Sequence, residues 1–156
     1  DRSRGLGDVY KRQKADGSAN LATVSWWTYL SYNPWMIAFA MAKPSYSGEM
    51  VRKNRQVVLT IPGAALKDVV LTCGSCTGRD TDKAAKTGVE LVSLPDTPIR
   101  VPARSRVAIV CDLAEFHEVG DHYLYVGNVK AGYASEEETP LFAWDGYAKI
   151  APVPMS

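Results

Sequence analysis

The chain has 156 residues, which is the length of one ordinary domain. It is 46% hydrophobic and 22% charged, as globular proteins are, and a chain of this length can bury a sizeable core without disulfides or metals. The formal net charge is only +1, and five of the 18 basic residues fall in the first 14 positions. The remaining chain lacks the excess positive charge that nucleic-acid binding requires, so we predict no nucleic-acid partner.

No segment of the sequence is apolar for long enough to span a bilayer. The longest run, residues 35–42, is well short of the roughly 18 residues required. The first residues lack the apolar segment of a secretion signal. Three cysteines cannot all form pairs, and a chain of this size does not need disulfides. We therefore predict a soluble, cytoplasmic protein with no membrane partner.

Residues 1–13 differ in composition from the rest of the chain and show neither a helical nor a strand period. Two interpretations fit this segment: sequence foreign to the protein, or a solvated basic arm. In either case we predict that residues 1–13 are non-native or disordered and that the domain comprises residues 14–156. If the segment is foreign, the domain lacks its own first strand.

The domain begins with strand and turn signals. Asp16-Gly17 predicts a hairpin turn. Residues 21–31 alternate with a strand period, and Asn33-Pro34 marks the turn that follows. The unbroken apolar run 35–42 predicts a strand buried on both faces.

Helical signals come next in the chain. Ser45 or Ser47 can cap a short helix that runs to about Lys53, and residues 56–61 predict a further strand. Residues 64–73 then predict a helix, because four apolar side chains share one helical face: Leu66, Val69, Val70 and Cys73.

A second short helix is predicted between Asp80, a good N-cap, and Gly88, a good terminator. The residues that follow predict a short strand over 89–93 and a loop with three prolines, Pro95, Pro98 and Pro102. A long strand over 107–119 is followed by a tight turn at Gly120-Asp121 and a return strand, residues 123–129.

Residues 142–150 complete the pattern as a last strand pair, after a solvated loop at residues 136–138. The chain then has about six strands with short helices inserted between them. Regular βαβ units are absent from the pattern, which argues against a parallel doubly wound sheet. We predict a mainly β fold, a closed or partly closed antiparallel barrel.

Several common site motifs are absent. The sequence has no G-x-G-x-x-G, no G-x-x-x-x-G-K-[ST] and no H-E-x-x-H. The two histidines, His117 and His122, lie on the two arms of the predicted hairpin without an evident third ligand, so we predict no metal site. The Cys73-x-x-Cys76 pair fits a redox dithiol or two small residues at a helix end. The second interpretation is favoured, because no further C-x-x-C and no βαβ unit accompany the pair.

Three clusters of hydroxyl and basic side chains suit a phosphate group. A phosphate requires hydrogen-bond donors and a cation, and helix N-termini add backbone N–H groups and a favourable dipole. The clusters are Thr23 with Ser25, Lys43 with Ser45, Tyr46 and Ser47, and Thr77 with Arg79 and Lys83. Trp26 and Trp27, beside the first cluster, suit a planar ring. The alternative is that these residues are exposed strand positions and solvated surface.

The order of these clusters resembles the flavin reductase and flavoredoxin-like family. Four stretches carry the resemblance, from about residue 14 to residue 150: NLATVSWWTYLSYNPWMIAFAM, KPSYSGEMVRKNRQVVLTIPG, CTGRDTDKAAKTG and GDHYLYVGNV. The resemblance implies an FMN-binding split β-barrel of Greek-key type and a homodimer with flavin near the subunit interface. The two cysteines, a short C-terminal end and the odd first residues depart from the family pattern.

The resemblance also implies the residues of the flavin site. It places Thr23, Val24, Ser25 and Trp26 along the flavin ring and phosphoribityl chain, with Ser31 approaching the ring. It places Lys43, Tyr46 and Ser47 at the phosphate, and Arg79, Asp80 and Lys83 in another wall. His122 would face the flavin or the reductant. No protein group is predicted to be a catalytic acid, base or nucleophile, because the flavin supplies the chemistry.

The implied activity is transfer of hydride from NAD(P)H to FMN, with electrons passed onward. FAD or riboflavin could replace FMN as a substrate. The alternatives are a flavoredoxin-like electron carrier without nicotinamide activity, a barrel of the pyridoxamine-phosphate oxidase type and a barrel that binds no flavin. The oxidase requires a second phosphate pocket, for which the sequence offers no candidate.

Overall fold

The structure, a computed structural model, describes residues 8–13, 19–147 and 149–153. Eleven strands lie within these residues. They are β1 (Asp8–Gln13), β2 (Ala19–Val24), β3 (Trp27–Tyr32), β4 (Trp35–Ala42), β5 (Gln56–Pro62), β6 (Leu91–Leu94), β7 (Thr97–Pro102), β8 (Ser105–Val119), β9 (His122–Ala134), β10 (Leu141–Tyr147) and β11 (Lys149–Pro152).

Seven of these strands form one antiparallel sheet in the order β2-β1-β5-β8-β9-β4-β3. The two edge strands, β2 and β3, are consecutive in the chain and only Ser25 and Trp26 separate them. The sheet therefore curls back on itself, and the Ala40 N–H donates to the Trp26 carbonyl at 2.9 Å where the edges meet. β6–β7 and β10–β11 form two separate hairpins. The prediction of a mainly β split barrel is confirmed.

Three short helices lie between the strands. α1 (Tyr46–Asn54) follows β4, α2 (Lys67–Ser75) follows a 3₁₀ turn at Ala64–Leu66, and α3 (Lys83–Thr87) precedes β6. Within the described residues, none of the helices is long and apolar enough to cross a membrane.

The core has three clusters because β5 and β8 are buried on both faces. Val57 and Leu59 of β5 point into the main barrel core, whereas Val58 packs on the opposite face with Ile99 and Val101 of β7. This two-sided burial explains why β5 has three consecutive apolar residues, Val57, Val58 and Leu59. The predicted apolar face of α2 is buried in the third cluster beneath β2: Leu66, Val69, Val70 and Cys73.

Four elements differ from the sequence-based predictions. The predicted strand 21–31 is two strands, broken at Ser25 and Trp26 where the sheet turns its corner. The proline-rich segment predicted as a loop contains β7. Within the part of the chain that the structure describes, β7 pairs with β6 alone and so tolerates residues without an N–H. The N-cap of α3 is Asp82, not Asp80, and α2 ends at Ser75, two residues beyond the predicted helix 64–73.

The structure also places part of the first segment in the sheet. Asp8–Gln13 forms β1, which pairs with β2 along its length and with β5 through residues 9–11. From the sequence we expected the first strand of the barrel to be missing or replaced. In the structure, β1 occupies that position. Whether residues 1–13 are native to the protein stays a prediction. The predicted turn at Asp16-Gly17 lies outside the described residues.

Candidate functional site

A cleft of about 290 Å³ opens where β2, the start of α1 and the end of α2 meet. We call it the α1 cleft. Its polar lining comes from Thr23, Ser45, Tyr46, Ser47, Thr77 and Lys83. The three predicted phosphate clusters thus each contribute residues to one cavity, although they are far apart in the sequence.

The N-terminus of α1 forms one wall of the α1 cleft. Ser45 is the N-cap, and its Oγ accepts a hydrogen bond from the Gly48 N–H at 3.2 Å. The first N–H groups of a helix lack partners within the helix, and they carry the positive end of its dipole. The wall formed by Ser45, Tyr46 and Ser47 therefore favours an anion.

Lys83 adds a positive charge to the same cleft. It is the first residue of α3, it is only 3% exposed, and its Nζ donates to the Cys73 carbonyl at 2.9 Å. Lys83 thus places a positive charge in the wall of the α1 cleft, and a positive charge favours an anion there.

Asn20 reinforces the floor beside this cleft. Its Nδ2 donates to Ser47 Oγ at 2.7 Å, which leaves the Ser47 hydroxyl hydrogen for another acceptor. The Asn20 Oδ1 is buried and has no hydrogen-bond partner within the described part of the chain. A Cβ at Gly78 would overlap this oxygen, so position 78 has room for glycine and for no larger residue.

Arg79 and Asp80, both predicted to line the flavin site, do not line the α1 cleft. Arg79 stacks over the Tyr46 ring at 5.0 Å and donates to Glu49 Oε2 at 2.8 Å, a hydrogen bond that lowers the pKa of Glu49. Asp80 is exposed and accepts a hydrogen bond from the Thr81 hydroxyl, at 3.0 Å.

Lys43 does not line the α1 cleft. Its ammonium group pairs with Glu118 near the tip of the β8–β9 hairpin, and this pairing lowers the pKa of Glu118. The Lys43 N–H also donates to the Asp121 carbonyl at 3.0 Å. Lys43 therefore fastens the hairpin tip to the end of β4.

An aromatic pair forms a second feature of the site. The rings of Trp26 and His122 stack at 4.5 Å between centroids with an interplanar angle of 24°. His122 Nδ1 lies 2.7 Å from Asp121 Oδ1, and this contact lowers the pKa of Asp121. Trp26 is 61% exposed, so one face of this pair is open to a planar ligand.

The remaining predicted residues are placed apart from these features. Val24 is buried in the main core, and Ser25 is half-buried at the corner between β2 and β3. Ser31 lies in a separate, wider cleft of about 940 Å³ along the β3–β4 hairpin, which we call the hairpin surface. That surface is lined by Tyr29, Leu30, Ser31, Tyr32, Asn33 and Trp35.

The structure thus brings together Thr23, Tyr46, Ser47 and Lys83, and separately Trp26 and His122. Sequence reasoning left out Asn20 and Gly78. Asn20 follows a predicted turn, where asparagine is usual for other reasons. Its burial under Gly78 depends on residues 58 positions apart, so no local pattern indicates it.

Fold and cleft together define a mainly β barrel with a cleft at the start of a helix, lined by hydroxyl groups and one buried lysine. The sequence profile of the Flavin reductase like domain matches residues 11–151. The chain therefore belongs to the flavin reductase-like family, and the resemblance drawn from the sequence is confirmed.

Known proteins of this kind are similar over most of the chain. An uncharacterised protein from Pyrococcus abyssi is 30% identical over 122 residues, which are 77% of this chain and 68% of that protein. A flavin reductase from Pseudomonas putida is 27% identical over 140 residues, 88% of this chain and 78% of the enzyme. The crystal structure of an FMN-binding protein from Thermus thermophilus, with bound p-hydroxybenzaldehyde, superposes with a TM-score of 0.81 at 24% identity. It covers 95% of this chain and 85% of that one.

Proposed function

We propose that this protein binds FMN with its phosphate in the α1 cleft and acts as an oxidoreductase that takes hydride from NAD(P)H and passes electrons onward. One observation carries the proposal: the N-terminus of α1 and the buried Lys83 ammonium face the same small cavity. Membership of the flavin reductase-like family and the similarity to a flavin reductase support it.

The residues of the chain fit the parts of FMN. Ser47, Tyr46 and Lys83 offer hydrogen-bond donors and a cation for the phosphate. Asn20 Nδ2 would hold Ser47 Oγ in place, which leaves the Ser47 hydroxyl hydrogen for a phosphate oxygen. Trp26, which is 61% exposed, would bound the flavin ring. The bound flavin supplies the two-electron redox chemistry, and the protein orients it.

The role of Lys83 is tested by comparing FMN with riboflavin, which lacks the phosphate. We expect Lys83→Met to weaken FMN binding by about tenfold or more, because a hydrogen bond to a charged group is lost. Riboflavin binding should change little. Lys86→Met is the matched control, since Lys86 is exposed on the same helix. Affinities follow from quenching of flavin fluorescence, with thermal melts to show that each variant is folded.

A result against this proposal would be equal affinity of the unaltered protein for FMN and riboflavin. Equal affinities would mean that contacts between the phosphate and the chain add nothing to the binding free energy. No affinity for either flavin, in folded protein, would remove the flavin-binding function altogether.

His122 is proposed to orient the nicotinamide donor beside the flavin. We expect His122→Ala to raise the KM for NAD(P)H several-fold and to spare FMN affinity, because the ring lies on Trp26 away from the α1 cleft. Steady-state kinetics and FMN titrations separate the two parameters. A fall in FMN affinity at constant KM would assign His122 to flavin binding instead.

Nicotinamide dependence itself is tested by mixing the FMN-loaded protein with NADH or NADPH in a stopped-flow instrument. Loss of the oxidised flavin absorbance with either nucleotide supports a reductase and gives the preference between them. Reduction by dithionite but by neither nucleotide would make the protein a flavoredoxin-like electron carrier. FAD and riboflavin are tested as substrates in the same assay.

We also propose that two copies of the chain associate through the hairpin surface. Its aromatic and aliphatic side chains are unusually exposed, with Tyr32 94% and Leu30 52% accessible. Contiguous apolar surface of this kind is typical of an interface. Location in the cytoplasm stays a prediction from the sequence.

A further inference from the structure

Two thiols share one wall of the α1 cleft. Cys73 lies in the last turn of α2, and Cys76 is the residue directly after the helix ends. Both line the cleft, Cys73 buried and Cys76 half-buried. The third cysteine, Cys111, is buried in the main barrel core and belongs to a different cluster.

The backbone and side chain of Cys76 allow this residue to approach Cys73. Residues three apart at the end of a helix have Cβ atoms about 5–6 Å apart, and a disulfide requires about 3.5–4.5 Å. Cys76 has an extended backbone, with φ −141° and ψ 165°, so the helical hydrogen-bond ladder does not fix it. Its Sγ donates to the Thr72 carbonyl at 3.3 Å and therefore already points back toward the last turn of α2. Closing the bond then requires the two Cβ atoms to approach by about 1–2 Å, through a movement of Cys76.

Burial of the two thiols indicates which one reacts first. Burial raises the pKa of the Cys73 thiol to about 11, with the Lys83 ammonium acting in the opposite direction. Cys76 is the more accessible of the two. An oxidant that enters the cleft therefore meets Cys76 first, and Cys73 is the partner that completes the reaction.

We propose that Cys73 and Cys76 form a reversible disulfide in the wall of the α1 cleft, and that closing it lowers the affinity of the cleft for FMN. The effect on FMN rests on the proposed function, whereas the disulfide itself does not. With hydrogen peroxide as oxidant, the Cys76 thiolate attacks one oxygen and the O–O bond breaks, so that Cys76 becomes a sulfenic acid. The hydroxide that leaves takes up the proton that the thiol released and forms water. Cys73 sulfur then attacks Cys76 sulfur, the S–O bond breaks and a second water leaves. Two thiols are oxidised and one peroxide is reduced to two waters.

The packing explains why the bond would alter the cleft. The Cys76–Gly78 segment forms part of the lining, and Gly78 packs directly on Asn20. The Cys73 carbonyl holds the Lys83 ammonium. Pulling Cys76 onto α2 therefore disturbs both the segment over Asn20 and the position of the positive charge. Each change acts on a group proposed to hold the flavin.

The test compares reduced protein with protein treated with hydrogen peroxide. We expect the intact mass to fall by two hydrogen atoms, peptide mapping to join Cys73 to Cys76, and FMN affinity to drop by about tenfold. Dithiothreitol should restore both the mass and the affinity. Cys73→Ser and Cys76→Ser should each abolish the response, and Cys111→Ser should keep it.

Two results would overturn the proposal. One is the absence of a Cys73–Cys76 peptide after treatment that oxidises other thiols. The other is formation of the bond with unchanged FMN affinity. If reduced protein fails to bind FMN, the proposed function falls and the effect on FMN falls with it, while the mass measurement still decides whether the bond forms.

Discussion

Gly78 is the residue at which the site tolerates least change. Its Cβ position is taken by Asn20 Oδ1, a buried oxygen that cannot move without breaking the bond from Nδ2 to Ser47. We expect Gly78→Ala to lower the free energy of unfolding by about 1–3 kcal/mol, the usual effect of overpacking. Urea denaturation monitored by tryptophan fluorescence measures this change.

Gly74→Ala is the matched control for that substitution. A Cβ at Gly74 would lie 3.6 Å from Thr23 Cβ, which is ordinary contact, and Gly74 is within α2. Alanine there should leave stability unchanged or raise it by up to about 1 kcal/mol. Equal losses in both variants would show that the region tolerates no side chain, and the specific role of Asn20 would be unsupported.

The residues at and around the α1 cleft differ in whether their position could be predicted from the sequence. Tyr46, Ser47 and Lys83 are predictable, because hydroxyl groups and cations near helix starts have a known affinity for phosphate. Asn20 is not predictable, because its burial results from a segment distant in the chain. Lys43 has the right chemistry but pairs with Glu118, and only the arrangement of the β8–β9 hairpin determines that choice.

At the scale of elements, the start of α1 depends on one side chain. Ser45 caps the helix through Oγ and the Gly48 N–H. We expect Ser45→Ala to lower the free energy of unfolding by about 1 kcal/mol. Ser45→Asp should keep most of the stability of the unaltered chain, because aspartate also caps helices. Thermal and urea unfolding of the three proteins make the comparison. Equal stability of Ser45→Ala and the unaltered chain would mean that solvent or another group caps α1.

Most elements follow from local pattern, and the exceptions have tertiary causes. The β8–β9 hairpin, β4 and α1 are predictable from alternation, apolar runs and a capping serine. The break at Ser25 and Trp26 is not, because the alternation continues across a corner imposed by closure of the sheet. Asp80 and Asp82 are equally good caps by type, and only Asp82 accepts a hydrogen bond from the Ala85 N–H.

At the scale of the whole molecule, the hairpin surface is the proposed interface between two copies of the chain. We expect the unaltered chain to be a dimer at micromolar concentration, and Leu30→Glu to yield monomers, because a charge would be buried in an apolar interface. Leu71→Glu, at an exposed position on α2, is the control and should leave the dimer intact. Sedimentation velocity gives the masses. A monomeric unaltered chain, or a dimeric Leu30→Glu variant, would contradict the prediction.

The strand order also has a consequence for synthesis of the protein. Within the sheet, β4 pairs with β3 on one side and with β9 on the other, and β9 comprises His122–Ala134. A nascent chain that leaves the ribosome N-terminus first therefore carries β4, with its buried apolar residues, unpaired on one side until β9 emerges. The barrel closes late in translation, and chaperones that protect exposed strand edges can act while residues 43–121 are being synthesised.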